Sequence, residues 1–279
     1  MAWNWQPETA TPLLLVANRD EFYARPARPL HWWDDGNILA GKDLQAGGTW
    51  MGLTRTGRFA ALTNYRDFSP AADSQAPRDG LPSRGALVTE FLNSDLPALA
   101  FLQRLAGRAK RYNPFNLLVF DGAQLQGLQS RDAAIVEMQP GMGAVSNADF
   151  HSPWPKLTWL RDELGNHVSA GDGAGDVDCL NVEALFSILK NQTTAPDSLL
   201  PQTGLPLARE RALSAAFVTS PDYGTRACSV VQIARGRAWF AERTFNAEGL
   251  VTTQQQAFSF NPPSRLYSPA STGEVPLRP

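Results

Sequence analysis

Short apolar runs, each closed by a polar or glycine-containing turn, recur at the start, the middle and the end of this chain. Leu13-Leu14-Leu15-Val16-Ala17, Phe115 to Phe120 and Ala227 to Ile233 are the clearest. Runs of this length suit buried strands, and Leu13 to Ala17 is far too short to span a bilayer. The intervening blocks change period. Leu87, Val88, Phe91 and Leu92 share one side of a helix predicted over Gly85 to Leu92, and Leu99, Leu102, Leu105 and Ala106 recur at helical spacing between Leu96 and Arg108. Strands thus fall early, centrally and late, helices fall in the middle blocks, and no flexible linker or internal repeat separates them. The pattern predicts one α+β domain over residues 1–279, with stacked antiparallel sheets and helices outside.

Local signals fill in the rest. Pro26, Pro29, His31, Trp32 and Trp33 predict an irregular, aromatic-rich loop. Gly47-Gly48 reads as a turn entering a strand through Leu53, with Arg58 to Asn64 as its hairpin partner across Thr56-Gly57. A Pro/Asp/Ser/Gln-rich loop covers Ser69 to Pro82. Asp121-Gly122 joins two strands, Phe115 to Phe120 and Ala123 to Gln129, and two more short extended pieces reach Ser146. Amphipathic helices are predicted at Trp154 to Leu164 and Val182 to Leu189, with a Gly/Asp-rich loop from Asn166 to Asp178 between them. Late strands are expected at Ala215 to Thr219, Ala227 to Ile233, Ala238 to Phe245 and Ala257 to Phe260, followed by a Pro-rich tail beyond Asn261.

Composition excludes several classes. Two cysteines cannot staple 279 residues, and the glycines have no three-residue period, so disulfide scaffold and collagen both fall away. A formal net charge of −2 leaves no global basic footprint for nucleic acid. Within that balance stand 21 Arg and only 4 Lys. Guanidinium forks suit carboxylate, phosphate or stacking contacts, although a coding bias explains such a count equally well. No targeting or membrane-spanning segment is visible, so cytoplasmic residence is the expectation, without integral membrane association. A homo-oligomer is compatible with all of this.

Candidate chemistry begins where the first buried run ends. Asn18-Arg19-Asp20-Glu21 sets a fork donor beside two carboxylates at a strand end, fit to hold a substrate carboxylate or orient an amine, or simply to make an ion-paired turn. Asn64 and Asn147 carry amide N–H groups suited to an oxyanion, or to capping a turn. Trp50 and the other tryptophans suit a pocket for an apolar or planar ligand, or core packing. Asp172, Asp176 and Asp178 lack the spacing of a calcium loop. His31, His151 and His167 form no short ligand motif with Cys179 or Cys228, so no metal and no resident cofactor is expected. Cys228 reads as a small core residue of a strand.

Taken together, these motifs carry a resemblance. Val16 to Pro26, with Asn18-Arg19-Asp20-Glu21 at its centre, resembles the signature of the NRDE family, which includes the transport and Golgi organisation 2 proteins. The resemblance runs on through Ala46 to Gly52, Leu62 to Arg66, Ser83-Arg84-Gly85, Pro114 to Leu117, Val145 to Ala148, Tyr223 to Arg226 and Glu242 to Phe245. That family is similar to the N-terminal-nucleophile hydrolases, which implies a four-layer αββα sandwich and hydrolysis of C–N amide or acyl bonds. By the same resemblance Arg19 and Asp20 orient a nucleophile, Asn147 stabilises the oxyanion and Arg226 supports the site. Asn18, Glu21, Asn64 and Trp50 complete the cleft. Some relatives are associated with haem or lipid trafficking, which implies instead a non-catalytic site binding haem or a lipid-like ligand.

One departure stands out. Family members begin Met-Cys and a short apolar run, whereas this chain begins Met1-Ala2-Trp3-Asn4-Trp5 and so carries no family nucleophile. The expectation is a first strand that is incomplete, with a true start upstream at an in-frame Met-Cys. The competing account is a chain that has lost those residues and works without them.

Overall fold

The computed structural model describes residues 1–66, 80–172 and 180–261. The strands are β1 (Ala2–Trp5), β2 (Leu13–Phe22), β3 (Ala27–Trp32), β4 (Ile38–Asp43), β5 (Met51–Thr54), β6 (Phe59–Asn64), β7 (Phe115–Phe120), β8 (Leu125–Gln129), β9 (Ala134–Glu137), β10 (Gly141–Ala144), β11 (Tyr223–Ala234), β12 (Arg237–Asn246) and β13 (Gly249–Ser259). The α-helices are α1 (Gly85–Leu92), α2 (Ala98–Ala106), α3 (Pro155–His167), α4 (Val182–Leu189) and α5 (Leu207–Leu213). All strand pairs are antiparallel and form two sheets, one in the order β10-β1-β2-β11-β12-β13 and one in the order β3 to β9. The second is a meander, interrupted only where α1 and α2 are inserted between β6 and β7.

Strand alternation decides what each face meets. On β1 and β2, Trp3, Trp5, Leu13, Leu15 and Ala17 join Leu39, Met51, Leu53, Phe59 and Phe120 in one apolar cluster shared by both sheets. The alternate residues Ala2, Leu14 and Val16 pack instead with Leu157, Leu160 and Leu164 of α3 and Leu185, Phe186 and Leu189 of α4. A third cluster joins Ile38, Ala60, Leu117 and Val119 to Leu87, Phe91, Phe101 and Leu105 of α1 and α2. Glycine admits two aromatic wedges between the sheets. A Cβ on Gly143 would lie 2.3 Å from Trp3, and one on Gly127 would lie 2.4 Å from Phe150. Trp3 and Phe150 meet edge to face at 6.2 Å.

Several sequence expectations are corrected. The segment read as an irregular loop from Pro26 to Trp33 contains edge strand β3, whose register shifts between Arg28 and His31. Pro29 sits in that bulge, where a ladder N–H is dispensable. Ala215 to Thr219 forms no named strand: Thr219 makes an isolated bridge to Gly224, and the Val218 N–H turns to the Thr225 hydroxyl. Helix α3 continues to His167, into the stretch read as loop. Ala257 to Phe260 is only the end of β13, whose Thr/Gln run is largely exposed and so lacks the alternation that marks a half-buried strand. Strand β1 pairs on both sides along its whole length. Asp176, Asp178, Cys179, the side chain of Asp172, most of the Ser69 to Pro82 loop and the tail beyond Asn261 lie outside the described residues. No described helix is long and apolar enough to cross a membrane.

Candidate functional site

The polar end of β2 opens into a cavity of about 1200 Å³. Its pleat sends Asn18-Arg19-Asp20-Glu21 in two directions, because Val16 faces the helices and Ala17 faces the other sheet. Asn18 and Asp20 follow Val16. The Asn18 side-chain amide donates to the carbonyls of Leu189 (2.8 Å) and Ala216 (2.7 Å), tying the strand to the end of α4. Asp20 Oδ1 accepts the Thr225 hydroxyl at 2.6 Å. Arg19 and Glu21 follow Ala17. They pair loosely at 3.7 Å, and Arg25 bridges from Glu21 (3.7 Å) to Asp43 (2.7 Å). Burial lowers the Arg19 pKa, opposed by Glu21 and Asp43.

The eight residues singled out from sequence all line this one cavity: Asn18, Arg19, Asp20 and Glu21 with Trp50, Asn64, Asn147 and Arg226. Their side chains are engaged differently. Asn147 donates one amide N–H to the Asn64 carbonyl at 2.8 Å, while its own carbonyl accepts the Arg66 N–H at 2.7 Å. One side-chain N–H of Asn147 is thus committed to the loop, and the second is the group left for a ligand. Arg226 is the extra residue of a bulge, since Asp20 pairs with Thr225 and Arg19 with Ala227. The bulge swings its guanidinium onto the carbonyls of Phe22 (2.9 Å), Tyr23 (2.9 Å), Arg25 (3.1 Å) and Phe245 (2.9 Å). Gly47 takes a turn conformation at φ +75°, and Gly48 lets the turn touch the start of α1, where a Cβ would lie 2.6 Å from the Gly85 carbonyl carbon.

Four further residues complete the walls. Lys156 lies in the first turn of α3, which places its ammonium at the unfavourable positive end of the helix dipole. Burial lowers its pKa to about 8, helped by Arg66 and opposed by Asp20 and Glu210. Arg66, 10% exposed, stacks on Trp154 and lies 3.4 Å from Glu210, while its Nε makes no hydrogen bond. Burial, with the nearby Asp20 charge, pushes the Tyr223 hydroxyl well above its ordinary range, so it stays neutral. Glu242 is fully enclosed between the sheets. It accepts the Leu30 N–H, freed by the β3 bulge, at 2.8 Å, and Gly41 leaves room for its carboxyl. Sequence offered one usable signal for Lys156, a cation directly after Trp154-Pro155 at a helix start. For Glu242 it offered only the place of Glu242 to Phe245 in the family resemblance and no sign of burial, which depends on the facing sheet. Cys228 is fully buried, and burial together with Asp20 holds its thiol well above the usual range.

Burial raises Glu242 from 4.5 to about 7. The folded chain therefore keeps a proton that the unfolded chain has released between those values, so stability falls as pH rises through that window, by up to about 3 kcal/mol. Glu242→Gln keeps an acceptor for Leu30 and removes the slope. Urea midpoints at about pH 5 and about pH 8 measure it, and equal slopes in both proteins would refute the assignment.

Nine cationic side chains line the cavity against five carboxylates. Two antiparallel sheets with helices, and an arginine-rich cleft among them, define an α+β protein. Residues 1–247 match the Transport and Golgi organisation 2 family model, and the chain belongs to that family. It is 33% identical to the Transport and Golgi organization protein 2 homolog of Bos taurus, over 85% of this chain and 88% of that one. It is 32% identical to the Homo sapiens homolog, over 91% and 94% respectively. A solved structure of a conjugated bile acid hydrolase from Clostridium perfringens aligns with 94% of this chain and 98% of its own, at TM-score 0.40 and 10% identity, a level of likeness that carries no argument.

Proposed function

We propose that the cleft binds a small molecule through a carboxylate group. The excess of cations over carboxylates on its walls carries this reading, because burying an anion there offsets like-charge repulsion between Arg66 and Lys156 and between Arg25 and Arg84. Arg66 is the principal anchor, with a buried and unengaged Nε. Haem propionates, fatty acids and N-acyl amino acids share this chemistry, and the resemblance to the NRDE family admits each. Calorimetric titration with haemin, a long-chain fatty acid and an N-acyl amino acid, each beside its methyl ester, separates them. At least one free acid is expected to bind about 10-fold more tightly than its ester, the equivalent of one charge-assisted hydrogen bond, and to lose that margin in Arg66→Gln. Free acids and esters that bind alike would refute the reading.

A second reading is C–N amide or acyl hydrolysis in an αββα fold of the N-terminal-nucleophile type. Two observations favour it. The three apolar clusters follow the order helices, sheet, sheet, helices. Asp20 and Asn147 also share the cavity wall with Met1, at the head of β1. On this reading Asp20 and Arg19 orient a cysteine borne ahead of β1, and Asn147 donates to the oxyanion. A chain carrying such a cysteine is expected to be acylated by an activated amide or ester at that thiol. Peptide mapping that finds the thiol unmodified would sink this version.

A further inference from the structure

Lys156 is placed where a lysine kept only for its charge would be badly served. It stands in the first turn of α3, which begins at Pro155 without a side-chain cap, so the helix dipole opposes its ammonium. Its side chain lines the cavity wall. The titratable groups that act on it come from four places: Asp20 of β2, Arg66 beyond β6, Glu210 of α5 and the α-amino group of Met1 ahead of β1, whose pKa burial lowers to about 5. Among the described residues its ammonium makes no ion pair within 4.0 Å. Of the four lysines in the chain, Lys42 and Lys156 line the cavity, and Lys42 stands over the Trp33 ring at 4.5 Å.

We propose that Lys156 is a covalent binding residue whose ε-amine condenses with the carbonyl of an oxo-carboxylate held in the cleft, forming an imine. The inference rests on the carboxylate-binding reading, since Arg66 holds the carboxylate while the carbonyl meets Nζ. The neutral amine adds its lone pair to the carbonyl carbon, making the C–N bond and pushing the C=O π pair onto oxygen. That oxygen takes a proton, and the nitrogen loses one, giving a carbinolamine. Expulsion of water then forms C=N. One amine and one carbonyl give one imine and one water, with no change in oxidation state. Asp20, the carboxylate that acts most strongly on the Lys156 charge and a member of the same cavity wall, is assigned to exchange these protons. Desolvation beside Arg66 makes the neutral amine accessible near physiological pH, the property that lysine nucleophiles require.

The test traps the imine in the full chain. Protein is incubated with pyruvate, with acetone or with buffer, reduced with cyanoborohydride and mapped by peptide mass spectrometry. Pyruvate is expected to mark Lys156 at least about 10-fold above the mean of Lys42, Lys110 and Lys190, with a rate that rises through about pH 8. Excess propionate is expected to suppress the mark, and Lys156→Arg to abolish it. Because the mapping compares lysines within the unaltered protein, it does not depend on the variant folding. Pyruvate label spread evenly over the four lysines, or ordered by their exposure, overturns the inference. If propionate binds calorimetrically and pyruvate leaves Lys156 unmarked, this inference falls and carboxylate binding stands. If acetone marks Lys156 as well as pyruvate does, the amine is reactive but the part assigned to the carboxylate is wrong.

Discussion

Trp3→Ala is expected to destabilise the protein by about 3–5 kcal/mol, the range for emptying a large aromatic site in a packed core. Trp3 is 1% exposed on a strand that pairs with β10 on one side and β2 on the other. Its indole lies over Gly143 and meets Phe150, which in turn covers Gly127 of the opposite sheet. Removing the indole would therefore open a void spanning both sheets, and the two glycines have no side chains with which to close it. Urea unfolding followed by far-ultraviolet circular dichroism measures the loss. A change under about 1 kcal/mol would mean that β1 is not packed between the sheets. Trp3→Phe keeps an aromatic wedge and should recover about half of the loss.

Arg226→Met is expected to cost roughly 2–4 kcal/mol, because it removes charge-assisted donors to carbonyls at two separate strand ends. The guanidinium joins the turn after β2, through Phe22, Tyr23 and Arg25, to Phe245 near the end of β12. One ammonium cannot span both sides, so Arg226→Lys should restore less than half of the stability. Equilibrium denaturation reads this directly. Ligand affinity per folded molecule separates the roles further: a clamp leaves it within about 2-fold, whereas a direct ligand contact would lower it about 10-fold or more. Retained stability with lost affinity would reverse the assignment made from the hydrogen bonds and return Arg226 to the site as a ligand-contacting group.

Much of the cleft was legible in the chain because the informative residues are local. Asn18 to Glu21 follow a buried run, and any strand that leaves a core must carry polar residues where it meets solvent. What could not be read was the direction of each side chain. Alternation is fixed only once one face is known to meet α3 and α4 and the other the second sheet, and that is a tertiary fact. Edge strands show the same limit. β3 hides behind Pro29 and paired tryptophans because an edge tolerates a bulge, and β13 hides in Thr and Gln because solvent meets most of it.

By itself the sequence determined the alternation of strand and helix blocks, the absence of a disulfide framework and of a bulk nucleic-acid charge signature, and the polar signature at the end of β2. These depend on periodicity and local composition, which act over a few residues. Only the tertiary structure decided that Arg66, Glu242 and Lys156 share one cavity with that signature. They come from a loop after β6, from β12 and from the start of α3, and their burial and altered proton affinities arise from neighbours far away in the chain. A charge acquires such properties when distant elements exclude water around it, and no local stretch of sequence contains that information.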